Sequence, residues 1–289
     1  MSALVIRLSS LGDVVLAGAV TGSLAPVTFL TSRRYAAVAA ALPGVTGVLA
    51  WEDGGRLRAR DYDRIIDLHA SPRSRWLTRW IWPDRVARYD IRRRLRVALK
   101  TSPAPPVLQR YSNAASTQPA PLPWVEAEGP GDTLLLFPGA AHATKCWAPA
   151  RFAEIRHRWI STGGTVLVLG SAAEADLCAE VAGDQGEILA EEGFAGTLQA
   201  LGRGAAALGA DSGLTHLAAA AGIPTWVIFG PTTAQDGFWS HGATPISMPM
   251  SCRPCSRHGS ASCPWGDHAC LDQLSVEQVW AAIAPDGAS

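Results

Sequence analysis

The sequence predicts an α/β protein built from two doubly wound parallel sheets, and three observations carry that prediction. Short, almost wholly apolar runs alternate with segments of helical periodicity, as expected of strands buried on both faces and covered by helices. A proline-crowded stretch, containing Pro103, Pro105, Pro106, Pro119, Pro121 and Pro123, interrupts the alternation once and reads as a linker. At 289 residues, 48% of them apolar, the chain has the length and core material for two domains of moderate size. The expected division is 1–124, with the linker over about 101–124, and 125–289, which includes a cysteine-rich segment at 252–270.

In the first half the expected strands are Ala3–Leu8, Val27–Leu30, Val45–Ala50, Arg64–Leu68 and Arg85–Tyr89. Helices are expected at Val14–Leu24, Arg33–Leu42, Ser74–Trp82 and Ile91–Lys100. In the second half, strands are expected at Thr133–Phe137, Thr165–Leu169, Ala205–Leu208 and Thr225–Phe229. The helices there are Pro149–Ile160, Ala172–Ala182, Gly213–Ala221 and Ser275–Ile283. Two such sheets joined by a linker are expected to face each other across a cleft lined by the carboxyl ends of their strands.

Lys plus Arg and Asp plus Glu both total 25, so overall charge selects no partner. Its distribution does. Between Arg73 and Lys100 stand ten basic residues against Asp84 and Asp90, a segment of +8, interleaved with Trp76, Trp80 and Trp82. Arginine beside tryptophan suits an anionic lipid headgroup or a phosphorylated glycan; solvated helix faces give the same composition. No nucleic-acid motif accompanies the charge. No run approaches the ~18 apolar residues of a membrane span. Arg7 and Asp13 also break the N-terminal apolar run, so it reads as a buried strand, not a secretory signal. The expected location is the cytoplasm.

Three segments place polar or small residues where a strand hands over to a helix. The first is Arg7-Leu8-Ser9-Ser10-Leu11-Gly12-Asp13. Ser10 and Gly12 let a ligand approach the backbone, and Asp13 is either a helix cap or a general base for an acceptor hydroxyl. The second runs from Phe137 through Gly139 to Lys145 and Trp147. Its Lys145 is either a surface lysine or a point charge for a diphosphate, and the spacing is not that of a Walker A loop. The third is Gly209-Ala210-Asp211-Ser212-Gly213-Leu214-Thr215-His216. The amides of Ser212, Gly213 and Leu214 open a helix and suit a phosphate, Asp211 can cap it, and His216 is a core histidine or a site residue.

In this order the three segments resemble the ADP-heptose heptosyltransferases, glycosyltransferase family 9. The opening is similar to that family's Ser-Ser-Leu-Gly-Asp signature, and Asp211–Ala218 to its Asp-[Thr/Ser]-Gly-x-[Ser/Thr]-His-x-Ala signature. Lys145-Cys146-Trp147-Ala148-Pro149 is similar to its Lys-x-Trp-Pro element, with Ala148 in place of the first proline. Thr233-Ala234 stand where the family commonly has Asp-Pro, and the N-terminal half is shorter than usual. The resemblance implies a GT-B architecture of two Rossmann-like domains and inverting transfer without a catalytic cofactor or metal. In it Asp13 is the base, and Lys145 and the Ser212–Leu214 amides stabilise the departing diphosphate. Glu174 falls where the family contacts adenosine, or else is a carboxylate favoured by a helix N-terminus.

Cys252, Cys255, Cys263 and Cys270 fall within 19 residues. In a reducing compartment they suit a tetrahedral structural Zn, or Fe, and free or paired thiols are the alternative. A similar cluster recurs in the family. Cys146 and Cys178 are isolated. The functional expectation is transfer of heptose, or a related sugar, from ADP-heptose to a lipopolysaccharide-core or similar phosphorylated glycolipid at the inner face of the bacterial inner membrane, with peripheral membrane contact. A different NDP-sugar donor, or a non-catalytic sugar-nucleotide-binding or assembly subunit, are the competing readings.

Overall fold

The computed structural model describes residues 2–54, 61–78, 86–88, 107–118, 131–191, 193–234, 242–256 and 258–285. The chain divides into two compact units, Met1–Trp124 and Val125–Ser289.

The first unit runs β1 (Ala3–Ile6), α1 (Leu11–Leu24), β2 (Val27–Thr31), α2 (Ala36–Ala40), β3 (Val45–Ala50), β4 (Arg64–Asp67), α3 (Pro72–Leu77), β5 (Val86–Arg88) and α4 (Val107–Ala115). Its five strands form one sheet in the order β3-β2-β1-β4-β5, and every pairing is parallel. Leu4, Val5 and Ile6 are wholly buried. β1 lies between β2 and β4, so its apolar run is covered on both faces. Leu4, Ile6, Leu8, Leu30, Ile65 and Val86 form the core on one side.

One expectation changes here. The segment taken as linker contains α4, which packs against α1 and buries Tyr111 and Ala115 completely. Its buried residues recur at helical spacing, a period that the flanking prolines hid. Within the Arg- and Trp-rich segment, the described part of the expected strand Arg85–Tyr89 is Val86–Arg88. The expected helix Ile91–Lys100, together with Trp80 and Trp82, lies outside the described residues.

The second unit runs β6 (Thr133–Phe137), α5 (Pro149–Ser161), β7 (Thr165–Ser171), α6 (Ala175–Ala182), β8 (Glu187–Glu191), α7 (Ala195–Leu201), β9 (Gly204–Ala210), α8 (Gly213–Ala220), β10 (Thr225–Ile228), β11 (Thr244–Ile246), α9 (Ala269–Asp272) and α10 (Val276–Ile283). Its six-stranded parallel sheet has the order β11-β10-β9-β6-β7-β8. Proline at the start of α5 is pre-set for a helix, where its missing N–H has no intrahelical partner to lose. The core gathers Leu134, Leu136, Phe152 and Val168 with Leu271, Leu274, Val279 and Ile283, so the two terminal helices complete it. β8, β11, α7 and α9 were not expected from sequence.

Each sheet has one place where the strand order reverses. In the first unit β1 is flanked by β2 and β4, and in the second β6 is flanked by β7 and β9. Ligands of open α/β sheets bind outside the carboxyl ends of the strands at such switch points. The loops after β1 and β4, and after β6 and β9, are therefore where chemistry is sought.

Candidate active site

In the first unit, β1 delivers Arg7 and the turn through Ser10 and Gly12 to Asp13, in the first turn of α1. Ser10 is the residue before the helix and makes no side-chain cap. Its hydroxyl instead donates to Asp13 Oδ2 at 2.9 Å. Arg7 Nη2 pairs with the same oxygen, and Arg7 Nη1 donates to the Leu68 carbonyl at 2.7 Å, tying the loop after β1 to the loop after β4. The Tyr111 hydroxyl, wholly buried on α4, donates to Asp13 Oδ1 at 2.9 Å. Gly12 is buried under the turn. The carboxylate thus has both oxygens held, yet 19% of its side chain remains exposed. A positioned, solvent-reachable carboxylate can take a proton from a hydroxyl brought to it.

The loop after β4 adds residues that the sequence did not single out. Buried Asp67 accepts from the amides of His69 and Ala70 at 3.1 and 2.8 Å and from the Ser74 hydroxyl at 2.9 Å. That network fixes the loop and sets His69 near the turn of Asp13. Burial, then the charge of Arg7, pull the His69 imidazole below its ordinary value, and Asp67 and Asp13 only partly offset them. The ring is therefore neutral near pH 7.

In the second unit, the loop after β6 carries Gly139 and a 3-10 turn ending at Lys145. The loop after β9 carries Asp211 and the start of α8. Lys145 Nζ lies 2.7 Å from Asp211 Oδ2. Thr232 donates its hydroxyl to that same oxygen at 2.7 Å, and His216 Nε2 lies 3.0 Å from Asp211 Oδ1. Burial pushes the Asp211 carboxyl up, but the hydrogen bond with His216 and the Lys145 charge outweigh it. The acid sits well below the usual carboxylate range. Asp211 and His216 are both buried beneath the turn.

Ser212 caps α8, its hydroxyl accepting from the Thr215 amide at 3.5 Å. Ser212, Gly213 and Leu214 are half-buried. The first amides of a helix have no carbonyl four residues back to pair with, and they carry the positive end of its dipole. Lys145 and this helix end bring positive charge of the kind that suits an anion to one turn. Close packing holds it: a Cβ at Gly209 would stand 2.4 Å from Thr215 Oγ1 and 2.7 Å from Phe137 Cβ.

Trp147, two residues beyond Lys145, is buried, meets Phe152 edge to face at 5.3 Å and donates from Nε1 to the Leu274 carbonyl at 3.1 Å. It anchors the lysine turn to the core. Glu174 caps its own turn, with Oε2 accepting from the Ser171 amide at 2.8 Å and hydroxyl at 2.7 Å. It also lies against the Gly139 loop, since a Cβ at Gly139 would come within 2.0 Å of Glu174 Oε1.

The cysteine segment leaves one expectation without support. Among the described residues, no group of three or more His, Cys, Asp or Glu side chains is gathered as metal ligands. All six cysteines are free. Cys270 is buried in the apolar core beside Leu271 and Leu274, so its sulfur serves packing. Burial pushes the thiols of Cys255 and Cys270 up, and backbone hydrogen bonds from Trp265 and His268 pull Cys263 down. The expected structural Zn or Fe at Cys252, Cys255, Cys263 and Cys270 is therefore not supported among the described residues. Cys178, pushed up to about 11 by burial, is an inert core thiol.

Two parallel-sheet α/β domains are the architecture of the GT-B class of glycosyltransferases. The family described as glycosyltransferase family 9 (heptosyltransferase) matches residues 108–265, more than half of the chain. The chain belongs to that family and is a glycosyltransferase. It is 29% identical over 253 residues to lipopolysaccharide heptosyltransferase 1 of Pseudomonas aeruginosa, covering 77% of this chain and 70% of the relative. The structure of E. coli ADP-heptose lps heptosyltransferase II shares its fold, with a TM-score of 0.75, 21% identity and 97% of each chain covered. E. coli heptosyltransferase WaaC with ADP-2-deoxy-2-fluoro heptose gives a TM-score of 0.71 at 15% identity, covering 98% of this chain and 99% of that one. No helix among the described residues is long and apolar enough to cross a membrane.

Proposed function

We propose that this chain transfers heptose, or a closely related sugar, from ADP-heptose to a lipopolysaccharide-core or similar phosphorylated glycolipid, with inversion and without a catalytic metal. The observation that carries the reading is the Lys145–Asp211 pair beside the α8 N-terminus, in a chain of family 9. The relatives named above support the donor, since their names specify heptose transfer and, for two of them, ADP-linked heptose.

The donor binds to the second unit and the acceptor to the first. Lys145 and the amides of Ser212, Gly213 and Leu214 neutralise the diphosphate. Asp211 and His216 work beneath them, holding the lysine in place. Glu174 and Gly139 border the nucleoside. Asp13 takes the proton of the acceptor hydroxyl as its oxygen bonds to the anomeric carbon of the heptose. The bond from that carbon to the diphosphate oxygen breaks, and ADP leaves with the electron pair. Fixed donors aimed at charge that grows during reaction stabilise the transition state without reorganising. Exposed Trp76, on α3, supports peripheral contact with the cytoplasmic face of the membrane.

Thermal melting of the purified protein with ADP, UDP or neither tests the donor. Stabilisation by ADP over UDP is expected, because a ligand that binds only the native state raises its melting temperature. Selective stabilisation by UDP would overturn the ADP assignment.

A further inference from the structure

The cysteine-rich segment touches both sides of the Lys145–Asp211 pair. On one side stands Arg253, between Cys252 and Cys255. Its Nε donates to the Gly230 carbonyl at 2.6 Å, Nη1 to Met248 at 2.5 Å and Nη2 to Thr232 at 2.9 Å. The amides of Cys255 and Ser256 donate to the carbonyl between those two, Pro231, at 3.1 and 3.3 Å. Three consecutive carbonyls after β10 are thus fixed from one short stretch. Thr232, 2% exposed, then donates its hydroxyl to Asp211.

On the other side, Thr144 exchanges hydrogen bonds with Ser260. Its hydroxyl donates to the Ser260 carbonyl at 2.8 Å and accepts from the Ser260 amide at 2.9 Å. His268 Nε2 lies 2.8 Å from the Thr144 carbonyl. Thr144 immediately precedes Lys145. A Cβ at Gly259 would stand 2.9 Å from the lysine's own Cγ and Cδ, so the segment also lies along the lysine stem.

We propose that Arg253 is a positioning residue for the diphosphate site, acting through Thr232 on Asp211 and so on the ammonium of Lys145. The segment's role in this account is to present the lysine, and the inference rests on the donor reading above. A guanidinium suits the task because its planar fork supplies several donors in fixed directions, which a lysine ammonium cannot reproduce.

The test is calorimetric titration of the full chain with ADP and with adenosine, for Arg253→Lys, Arg253→Gln, Thr232→Val, Thr232→Ser and the Arg253→Lys/Thr232→Val double variant. Both arginine variants and Thr232→Val are expected to bind ADP about tenfold more weakly, the scale of one hydrogen bond to a charged group. Adenosine affinity should be unchanged, and Thr232→Ser should bind ADP as the parent does. The double variant should lose about tenfold and not a hundredfold, because residues acting in series are not additive. Equal loss for ADP and adenosine would show general loosening and overturn the proposal. ADP binding that survives both arginine substitutions, or multiplicative losses in the double variant, would also overturn it. If the parent chain itself fails to bind ADP, the donor reading falls first. If the parent binds ADP and the variants match it, only the Arg253 inference falls.

Discussion

Lys145 and Asp211 meet at 2.7 Å with 12% and 11% of their side chains exposed, so the charge proposed to meet a diphosphate is already held by a carboxylate. A lysine already held in place needs no ordering, which lowers the entropic cost of binding a diphosphate. Lys145→Met should retain the fold, because Asp211 keeps His216 and Thr232 as partners. Turnover should fall by about 10²–10³-fold, the usual cost of removing a preorganised charge-stabilising donor. Asp211→Asn strands the lysine and should cost about 3 kcal/mol of stability in a denaturant titration.

Tyr111 supplies the test of the other unit. Its hydroxyl is wholly buried and donates to Asp13 Oδ1. Tyr111→Phe should cost about 1–2 kcal/mol in stability. It should also lower kcat about tenfold, with ADP affinity unchanged, since a base misplaced by a fraction of an ångström takes up the acceptor's proton less well. Steady-state kinetics beside an ADP titration check this.

Gly139 has no room for a methyl group. A Cβ there would collide with Glu174 Oε1 at 2.0 Å, so Gly139→Ala must displace the Glu174 carboxylate from its capping bonds to Ser171. The variant should show a KM for donor raised about tenfold and a kcat changed much less, because the uniform binding lost is that of the nucleoside end. Glu174→Gln should change KM in the same direction, by less.

Stability should depend on pH through His69. Its folded value lies below the ordinary 6.5, pulled down by burial and by Arg7 against Asp67 and Asp13. The unfolded chain therefore binds more protons than the folded one in the window below about 6.5, and stability rises with pH there. The contribution is fully present above about 6.5 and is lost as pH falls through the window between the two values. His69→Gln should flatten the stability profile between about pH 5 and 7. Asp211 acts elsewhere: its folded value lies below the ordinary 3.8, so its contribution is present above about 4 and lost only in stronger acid.

These contacts differ in how far the sequence showed them. β1, β2, β6 and β10 were legible because continuous apolar runs between helical periods leave little alternative. β8, Glu187-Ile188-Leu189-Ala190-Glu191, was not, since it is an edge strand, mostly exposed or half-buried, and bounded by acids. β11 has only three residues and includes a proline. Asp13, Lys145 and Asp211 stood out because each follows an apolar strand at a small-residue turn. Tyr111 did not, because its partner lies 98 residues away and α4 is flanked by prolines. Arg253 carried no signal in the sequence. Its partners are main-chain carbonyls, which carry no signature in a sequence and become a site only when the chain brings them together.

The central claim is that Asp13 is the base of a transfer whose donor is held by the other unit. The most direct measurement is ADP release from ADP-heptose in the presence of a lipopolysaccharide-core acceptor, comparing the parent chain with Asp13→Asn and titrating both with ADP. The account predicts that Asp13→Asn loses about 10²–10⁴-fold in kcat while ADP binds as before. Turnover that survives the substitution would contradict it.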